Sequence, residues 1–221
     1  MQEINLLPPE IINEIAAGEV IERPVAVVKE LIENSIDAKA SKITISIEEG
    51  GISKIVVSDN GIGIEQKYIE TSVGRHTTSK LNMRTLNNII TLGFRGEALH
   101  SISNASEFTM ISRTKDSTEA YELKVIFGKP LSIKPSKGNV GTLIKIENIF
   151  RNLPVRKKFL KSENSETLAI KNLIKKISLT NPKITFIFLE EDKVKFQLIG
   201  REDIKGLYKR VFEIFGENFI K

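Results

Sequence analysis

Apolar and polar residues alternate strictly from Lys42 to Glu48, and the short run Lys54–Asp59 reads as the next strand. A period of two marks strands with one buried face. Gly50 and Gly51 sit between the two runs, so 42–59 is expected to form a hairpin. Just upstream the period changes. Val28, Leu31, Ile32 and Ile36 recur at helical spacing, and Pro24 suits a first helical turn, which predicts a helix over 24–36. Glu30, Glu33, Asn34 and Asp37 fall on its polar side. A shorter helix broken at Gly18 is expected within 12–24. Further along, the pattern predicts short helices at 65–73 and 96–103 and strands at 106–113, 119–127 and 142–147. Ile170, Leu173, Ile174 and Ile177 mark a long amphipathic helix over 163–179. Residues 184–199 read as a hairpin turning near Asp192, and 206–221 read as a helix. Residues 74–96 are rich in Gly, Thr, Ser and Asn, which suggests a long, mobile loop with a short helix inside it. Helices and strands are segregated, with several hairpins. That argues for an α+β fold, a two-layer sandwich with helices on one face of a mixed, mostly antiparallel sheet.

Composition narrows the chemistry. At 221 residues the chain is long for one domain and short for two, and 40% hydrophobic content supports a sizeable core. Lys and Arg number 33 against 28 Asp and Glu, a net charge of +5. That balance permits an anionic partner without requiring one. The absence of cysteine excludes disulfides, thiolate zinc sites and cysteine nucleophiles. His76 and His100 have no spacing that suggests a metal or a nucleophile relay, so polar loop and helix roles are expected. No apolar run approaches the ~20 residues that span a bilayer, and the N-terminus lacks a basic-then-apolar leader pattern. An intracellular, cytoplasmic setting is expected. Residues 206–221 end without a polar tail, as in a piece of a longer protein.

Four segments carry candidate chemistry. Glu30 and Asn34 stand at i, i+4 on one helix face. Glu30 can orient or deprotonate a water, and Asn34 can offer an amide oxygen to Mg2+, which prefers such ligands. The same spacing also fits a solvated helix face. The run Asp59-Asn60-Gly61-Ile62-Gly63 follows a strand. As an ordinary turn it needs no ligand. As a site, its glycines let the backbone approach a flat ligand, and Asp59 accepts a hydrogen bond from the adenine amino group. Guanine presents a carbonyl at that edge, so a carboxylate there selects against it. In 74–81 and 92–103, Gly93 and Gly96 flank Phe94 and Arg95, and a helix begins near Gly96. Amides at a helix start bind phosphate, and Lys80 and Arg95 add charge. A surface loop with incidental basic residues fits equally. Nowhere is there a G-x-x-x-x-G-K-[ST] run, so phosphate must be gripped in another way. Finally, Arg151, Arg156, Lys157, Lys158 and Lys161 lie in 151–161 with no acid among them, and Lys171, Lys175 and Lys176 extend the charge along the outer side of the next helix. This suits DNA phosphates, or is simply a solvated face. Phe150 and Phe159 are expected in the core.

These segments in this order resemble the GHKL (Bergerat-fold) ATPases, and more closely the N-terminal ATPase domain of the MutL branch of DNA mismatch repair proteins. The resemblance runs from INEIAAGEVIERP (12–24) through KELIENSIDA (29–38), SDNGIGI (58–64), RHTTSK (75–80) and GFRGEAL (93–99) to RNLPVRKKFL (151–160). It implies that Glu30 is the general base and Asn34 the Mg2+ ligand. It implies that Asp59 holds adenine, supported by Thr142, with Ala38, Gly61, Gly63 and Ile64 shaping the base pocket. Thr78, Ser79, Lys80, Gly93, Phe94, Arg95, Gly96, Glu97, Ala98 and Leu99 then belong to an ATP lid. The implied function is Mg2+-dependent ATP binding and hydrolysis as a conformational and dimerisation switch in mismatch repair. Implied partners are a second copy of the N-terminal domain, other repair proteins and, weakly and non-specifically, DNA. The ATPase domain is expected over 1–200, with 201–221 leading to a following domain that supplies a lysine to the γ-phosphate. Hydrolysis by this chain alone is therefore expected to be weak. Two departures stand out. Lys39 occupies a position where the family carries glycine, and FRNLPVR (150–156) replaces a run typically written FYNTPAR. Another GHKL trade (topoisomerase or chaperone type) and a non-enzymatic, ATP-liganded DNA-binding or adaptor module are the alternatives.

Overall fold

The computed structural model describes residues 21–77 and 96–216. The expected helix within 12–24 and most of the 74–96 loop lie outside them. Eight strands form one sheet: β1 (Lys42–Glu48), β2 (Lys54–Asp59), β3 (Glu107–Arg113), β4 (Ala120–Ile126), β5 (Lys129–Ser136), β6 (Gly141–Glu147), β7 (Thr185–Glu190) and β8 (Lys193–Leu198). Their spatial order is β5-β4-β3-β6-β2-β1-β7-β8. Every neighbouring pair is antiparallel except β1 with β7. That single parallel contact joins the two hairpins at 42–59 and 185–198, and it makes the sheet mixed as expected.

The helices are α1 (Pro24–Asp37), α2 (Gln66–Ile69), α3 (Ala98–Asn104), α4 (Pro154–Lys158), α5 (Glu163–Thr180) and α6 (Ile204–Phe215). Along β1, Ile43, Ile45 and Ile47 are fully buried, while Thr44 and Ser46 are half-buried on the opposite face. They meet Val27, Val28, Leu31 and Ile32 of α1, Ile170 and Ile174 of α5, and Phe186 and Phe188 of β7 in one core. Each such side chain contributes roughly 1.5–3 kcal/mol by leaving water. The buried face of α1 therefore fixes how its polar face is turned relative to the end of β2, where the site lies.

Helix α1 stops at Ala38 because the next residue turns left-handed. Lys39 has φ +62°, and its N–H donates to Ile36 O at 2.9 Å. An L side chain in this conformation costs about 1–2 kcal/mol, so a glycine would suit the position. Part of that gain is offset because glycine loses more chain freedom on folding. Lys39→Gly is expected to stabilise the chain by roughly 0.5–1 kcal/mol, a rise of about 1–4 °C in Tm by calorimetry.

Strand β5 and helix α4 have no counterpart in the periodicity. Lys129–Ser136 contains Pro130 and Pro135, which argue against a strand. It is a strand nonetheless, because it forms a sheet edge and needs partners on one side only. Leu131 and Ile133 remain exposed on it. At the other end of the chain, α6 is held by one buried cation. The Arg210 guanidinium donates to the carbonyls of Ser178, Ile184 and Ile199 at 2.9–3.0 Å. Burial pulls its pKa below the usual arginine value.

Candidate functional site

The DNGIGI turn leaves β2 and docks on the end of α1. Ile62 N–H donates to Ala38 O at 2.9 Å. A Cβ on Gly61 would lie 2.6 Å from that same carbonyl oxygen, so only glycine lets the turn come this close. Gly63 is constrained twice. Its φ is +72°, and a Cβ there would fall 2.1 Å from Arg113 O. Asn60 fastens the turn from its other side, accepting from the N–H groups of Ser41 and Lys42 at 2.9 Å each.

This packing places the Asp59 carboxylate between three elements. Oδ1 accepts from Gly61 N at 2.8 Å and from Thr142 N, at the start of β6, at 3.3 Å. Oδ2 accepts from Ser35 Oγ of α1 at 2.9 Å. Burial pushes the Asp59 carboxyl above the usual carboxylate range, and the three donors pull partly against it. The sign follows: with the folded value raised, this group's contribution to stability is full below the ordinary aspartate value and is lost as pH rises through the raised one. Keeping the ionised form at neutral pH therefore costs the unliganded protein stability.

Thr142 also anchors a hydroxyl array. Its Oγ1 lies 2.9 Å from Ser112 Oγ. Ser112 donates to Gly141 O at 3.1 Å and accepts from Ile64 N at 2.8 Å. Ala38, Asp59, Gly61, Gly63, Ile64 and Thr142 thus form one connected cluster. Ser35 and Ser112 belong to it, and sequence reasoning missed both. A serine in a helix or strand carries no period, though Ser35 follows Asn34 directly.

Glu30 and Asn34 lie nearly two and nearly three turns along α1 from Pro24, on the same helix as Ser35. The Glu30 side chain is 29% exposed, with Oε1 3.7 Å from Lys29 Nζ. Lys29 is nearer to Glu33, at 3.1 Å. Burial alone lowers the Lys29 pKa, but Glu33 and Glu30 outweigh it and leave the ammonium raised and charged. Among the described residues no three His, Asp or Glu side chains converge as a metal cage. A divalent cation here would rely on Asn34 and on oxygens from the ligand itself. One hard amide oxygen suits Mg2+, which keeps most of its shell as water and phosphate.

Of the expected lid, Thr78, Ser79, Lys80, Gly93, Phe94 and Arg95 lie outside the described residues. Gly96, Glu97, Ala98 and Leu99 do not. Helix α3 begins at Ala98 rather than Gly96. Gly96 packs on Thr77, where a Cβ would stand 2.6 Å from Thr77 O, so the two ends of 78–95 are adjacent. His76 Nδ1 is 3.2 Å from Glu97 Oε1. His100 Nδ1 is 3.1 Å from Val73 O, and Nε2 is 3.1 Å from Asn104 Nδ2. Both histidines have the polar loop and helix roles expected of them. A separate cleft of about 260 Å³ between Val73, His100, Leu123 and Val125 includes none of Glu30, Asn34 or Asp59.

In the basic segment, Arg151, Lys157, Lys158 and Lys161 are exposed and Arg156 is half-buried. Two expectations are corrected. Phe150 is fully buried, but Phe159 is 77% exposed, because α4 ends there and turns the ring away from the sheet. Lys171 is not free on an outer face: it pairs with Glu190 at 2.8 Å, and its ammonium lies 5.7 Å from the Phe188 ring centroid. That hydrogen bond holds the Glu190 carboxyl below its usual range. The segment is tied to α1 through Glu166. This buried carboxylate accepts from Arg23 Nη2 at 3.0 Å, Arg23 Nε at 3.2 Å and Lys161 N at 3.1 Å.

Known proteins resemble this chain in sequence and in fold. Residues 22–134 match the family model described as histidine kinase-, DNA gyrase B-, and HSP90-like ATPase. The chain is 43% identical over 221 residues to the DNA mismatch repair protein MutL of Mannheimia succiniciproducens, covering 99% of this chain and 35% of that protein. It is 44% identical to the MutL of Rickettsia typhi, with 37% of that protein covered. The chain thus spans about a third of the length of these relatives. Among solved structures, the Aquifex aeolicus MutL ATPase domain complexed with ADP is 37% identical, with a TM-score of 0.74 over 89% of this chain and 70% of that one. The N-terminal domain of a DNA repair protein is 30% identical, with a TM-score of 0.76 over 94% of this chain and 61% of that one.

Proposed function

We propose that this chain, which belongs to the MutL branch of the histidine kinase-, DNA gyrase B- and HSP90-like ATPases, binds ATP with Mg2+ and hydrolyses it as a conformational and dimerisation switch in DNA mismatch repair. The observation that carries the reading is the half-buried Asp59 carboxylate, held by donors from α1, the glycine turn and β6 beside the helix that bears Glu30 and Asn34.

Adenine donates its exocyclic N–H to Asp59, with Ala38, Gly61, Gly63 and Ile64 walling the base and Thr142 bracing the carboxylate. Asn34 would hold Mg2+, which would supply charge neutralisation for the phosphates. Thr78–Lys80 and Gly93–Leu99 wrap the phosphates. Glu30 accepts a proton from a water as its oxygen attacks the γ-phosphorus. The bond from that phosphorus to the bridging oxygen breaks, and ADP and phosphate leave. Most of the barrier is lowered by position and charge. Ordering of the lid by the γ-phosphate favours pairing of two N-terminal domains, an order–disorder switch. Arg151, Arg156, Lys157, Lys158 and Lys161 offer a weak, salt-dependent contact to DNA phosphates. Other mismatch repair proteins are the expected partners in the longer protein, in a cytoplasmic setting.

A thermal-shift series tests the reading. With Mg2+ present, ATP and ADP at about a hundred times Kd are expected to raise Tm by roughly 5–10 °C, and GTP to leave it near the unliganded value. Asp59→Asn removes the adenine response. In the same scans its unliganded Tm at neutral pH is expected to match or exceed the parent's, since no charge is buried. A GTP response equal to that with ATP counts against the pocket.

A further inference from the structure

Asp59 leaves little room for a ligand. A carboxylate has about four acceptor positions. Two on Oδ1 are taken by Gly61 N and Thr142 N, and one on Oδ2 by Ser35 Oγ. One remains, on Oδ2. The backbone donors cannot move without moving the turn or β6. The Ser35 hydroxyl is different: its single hydrogen can turn either to Asp59 Oδ2 at 2.9 Å or to Leu31 O at 3.0 Å. Leu31 O does not depend on it, because that carbonyl already accepts within the helix. Ser35 is 3% exposed, so no bulk water substitutes for the lost donor.

We infer that Ser35 is the positioning residue for base selection: its hydroxyl fixes the Asp59 carboxylate so that Oδ2 presents one acceptor toward the exocyclic group of an adenine nucleotide. It sits one residue after Asn34 on α1, so the same helix register that aims the Mg2+ ligand also aims the base acceptor. Without the hydroxyl, the carboxylate keeps its two bonds on Oδ1 and swings about them, and the Oδ2 acceptor is no longer held against one edge of the base. Adenine then loses its directed acceptor, and guanine loses the acceptor-to-acceptor clash that excludes it. Ser35 does not touch the reacting phosphate. Its effect is on affinity and base preference, with the rate at saturation left to Glu30.

The inference rests on Asp59 as the adenine acceptor, and the experiment separates the two. Kd for ATP and for GTP is measured by calorimetry, and single-turnover rates at saturating ATP, for the parent, Ser35→Ala, Ser35→Cys and Ser35→Thr. Ser35→Ala is expected to bind ATP about tenfold more weakly, to lose most of the ATP-over-GTP ratio, and to keep the saturated rate within about twofold. Ser35→Cys fills the same space with a poor donor and should behave like Ser35→Ala. Ser35→Thr retains the hydroxyl and should keep the base preference. A parental ATP-over-GTP ratio in Ser35→Ala or Ser35→Cys overturns the role of Ser35 while leaving Asp59 in place. A parent that binds both nucleotides alike overturns the Asp59 reading itself, and this inference with it.

Discussion

Glu30→Ala is expected to bind ATP as tightly as the parent and to hydrolyse it about 10²–10⁴-fold more slowly. The split follows from geometry. Glu30 lies one turn before Asn34 on the polar side of α1, is partly exposed, and shares no hydrogen bond with the Asp59 cluster that holds the base. Removing it takes a proton acceptor from the water and leaves the base pocket untouched. The neighbouring carboxylate serves as a control. Glu33 sits on the same helix but is paired with Lys29 at 3.1 Å, so Glu33→Ala should keep turnover within a few-fold of the parent. Single-turnover phosphate release with calorimetric ATP binding separates the two effects. Parental hydrolysis by Glu30→Ala would falsify the assignment of the base. The comparison is relative, so it holds even if the parent's own rate is low.

The second large effect is on stability. Arg23→Ala is expected to cost about 3 kcal/mol and to lower Tm by roughly 6–12 °C. Glu166 is fully buried and meets the Arg23 guanidinium through both Nε and Nη2. Removing the cation leaves a buried carboxylate with Lys161 N as its remaining donor among the described residues, short of what it needs to offset lost hydration. Arg23 is 31% exposed, which keeps the expected loss at the lower end for a broken buried pair. Replacing both partners with apolar residues of similar size, Arg23→Met with Glu166→Leu, should recover most of the loss, because no charge is then left unpaired. If urea denaturation gives the single variant parental stability, the pair is a surface decoration. The pair also joins the start of α1 to the basic segment. A loss of ATP affinity in Arg23→Ala, recovered in the double variant, would show that α1 depends on this anchor for its position.

Much of the fold is legible in the sequence because each element is short and strongly patterned. The alternation in Lys42–Glu48 can be satisfied only by a strand with one dry face, and its pairing with Lys54–Asp59, with Ile45 opposite Val57, bears that out. The polar stripe of α1 is equally plain. Strand β5 is not, because its prolines point away from a strand and its apolar residues stay exposed at a sheet edge. Phe159 misleads in the opposite sense. A phenylalanine in a basic run is expected to point inward, but α4 is a single short turn whose end carries the ring into solvent. Lys171 looks like part of a basic face until β7 supplies Glu190 to it.

By itself the sequence determined the local elements and the side chains able to do chemistry. Those depend on near neighbours, on periods of two and 3.6, and on backbone sterics. The tertiary structure alone decided which groups meet. Ser35 and Asp59 are 24 positions apart, Asp59 and Thr142 are 83 apart, and Arg23 and Glu166 are 143 apart. No local pattern encodes such pairs. They follow from the order of the strands in the sheet and from the register in which α1 buries its apolar side, which brings a helix, a turn and the start of a strand to one carboxylate.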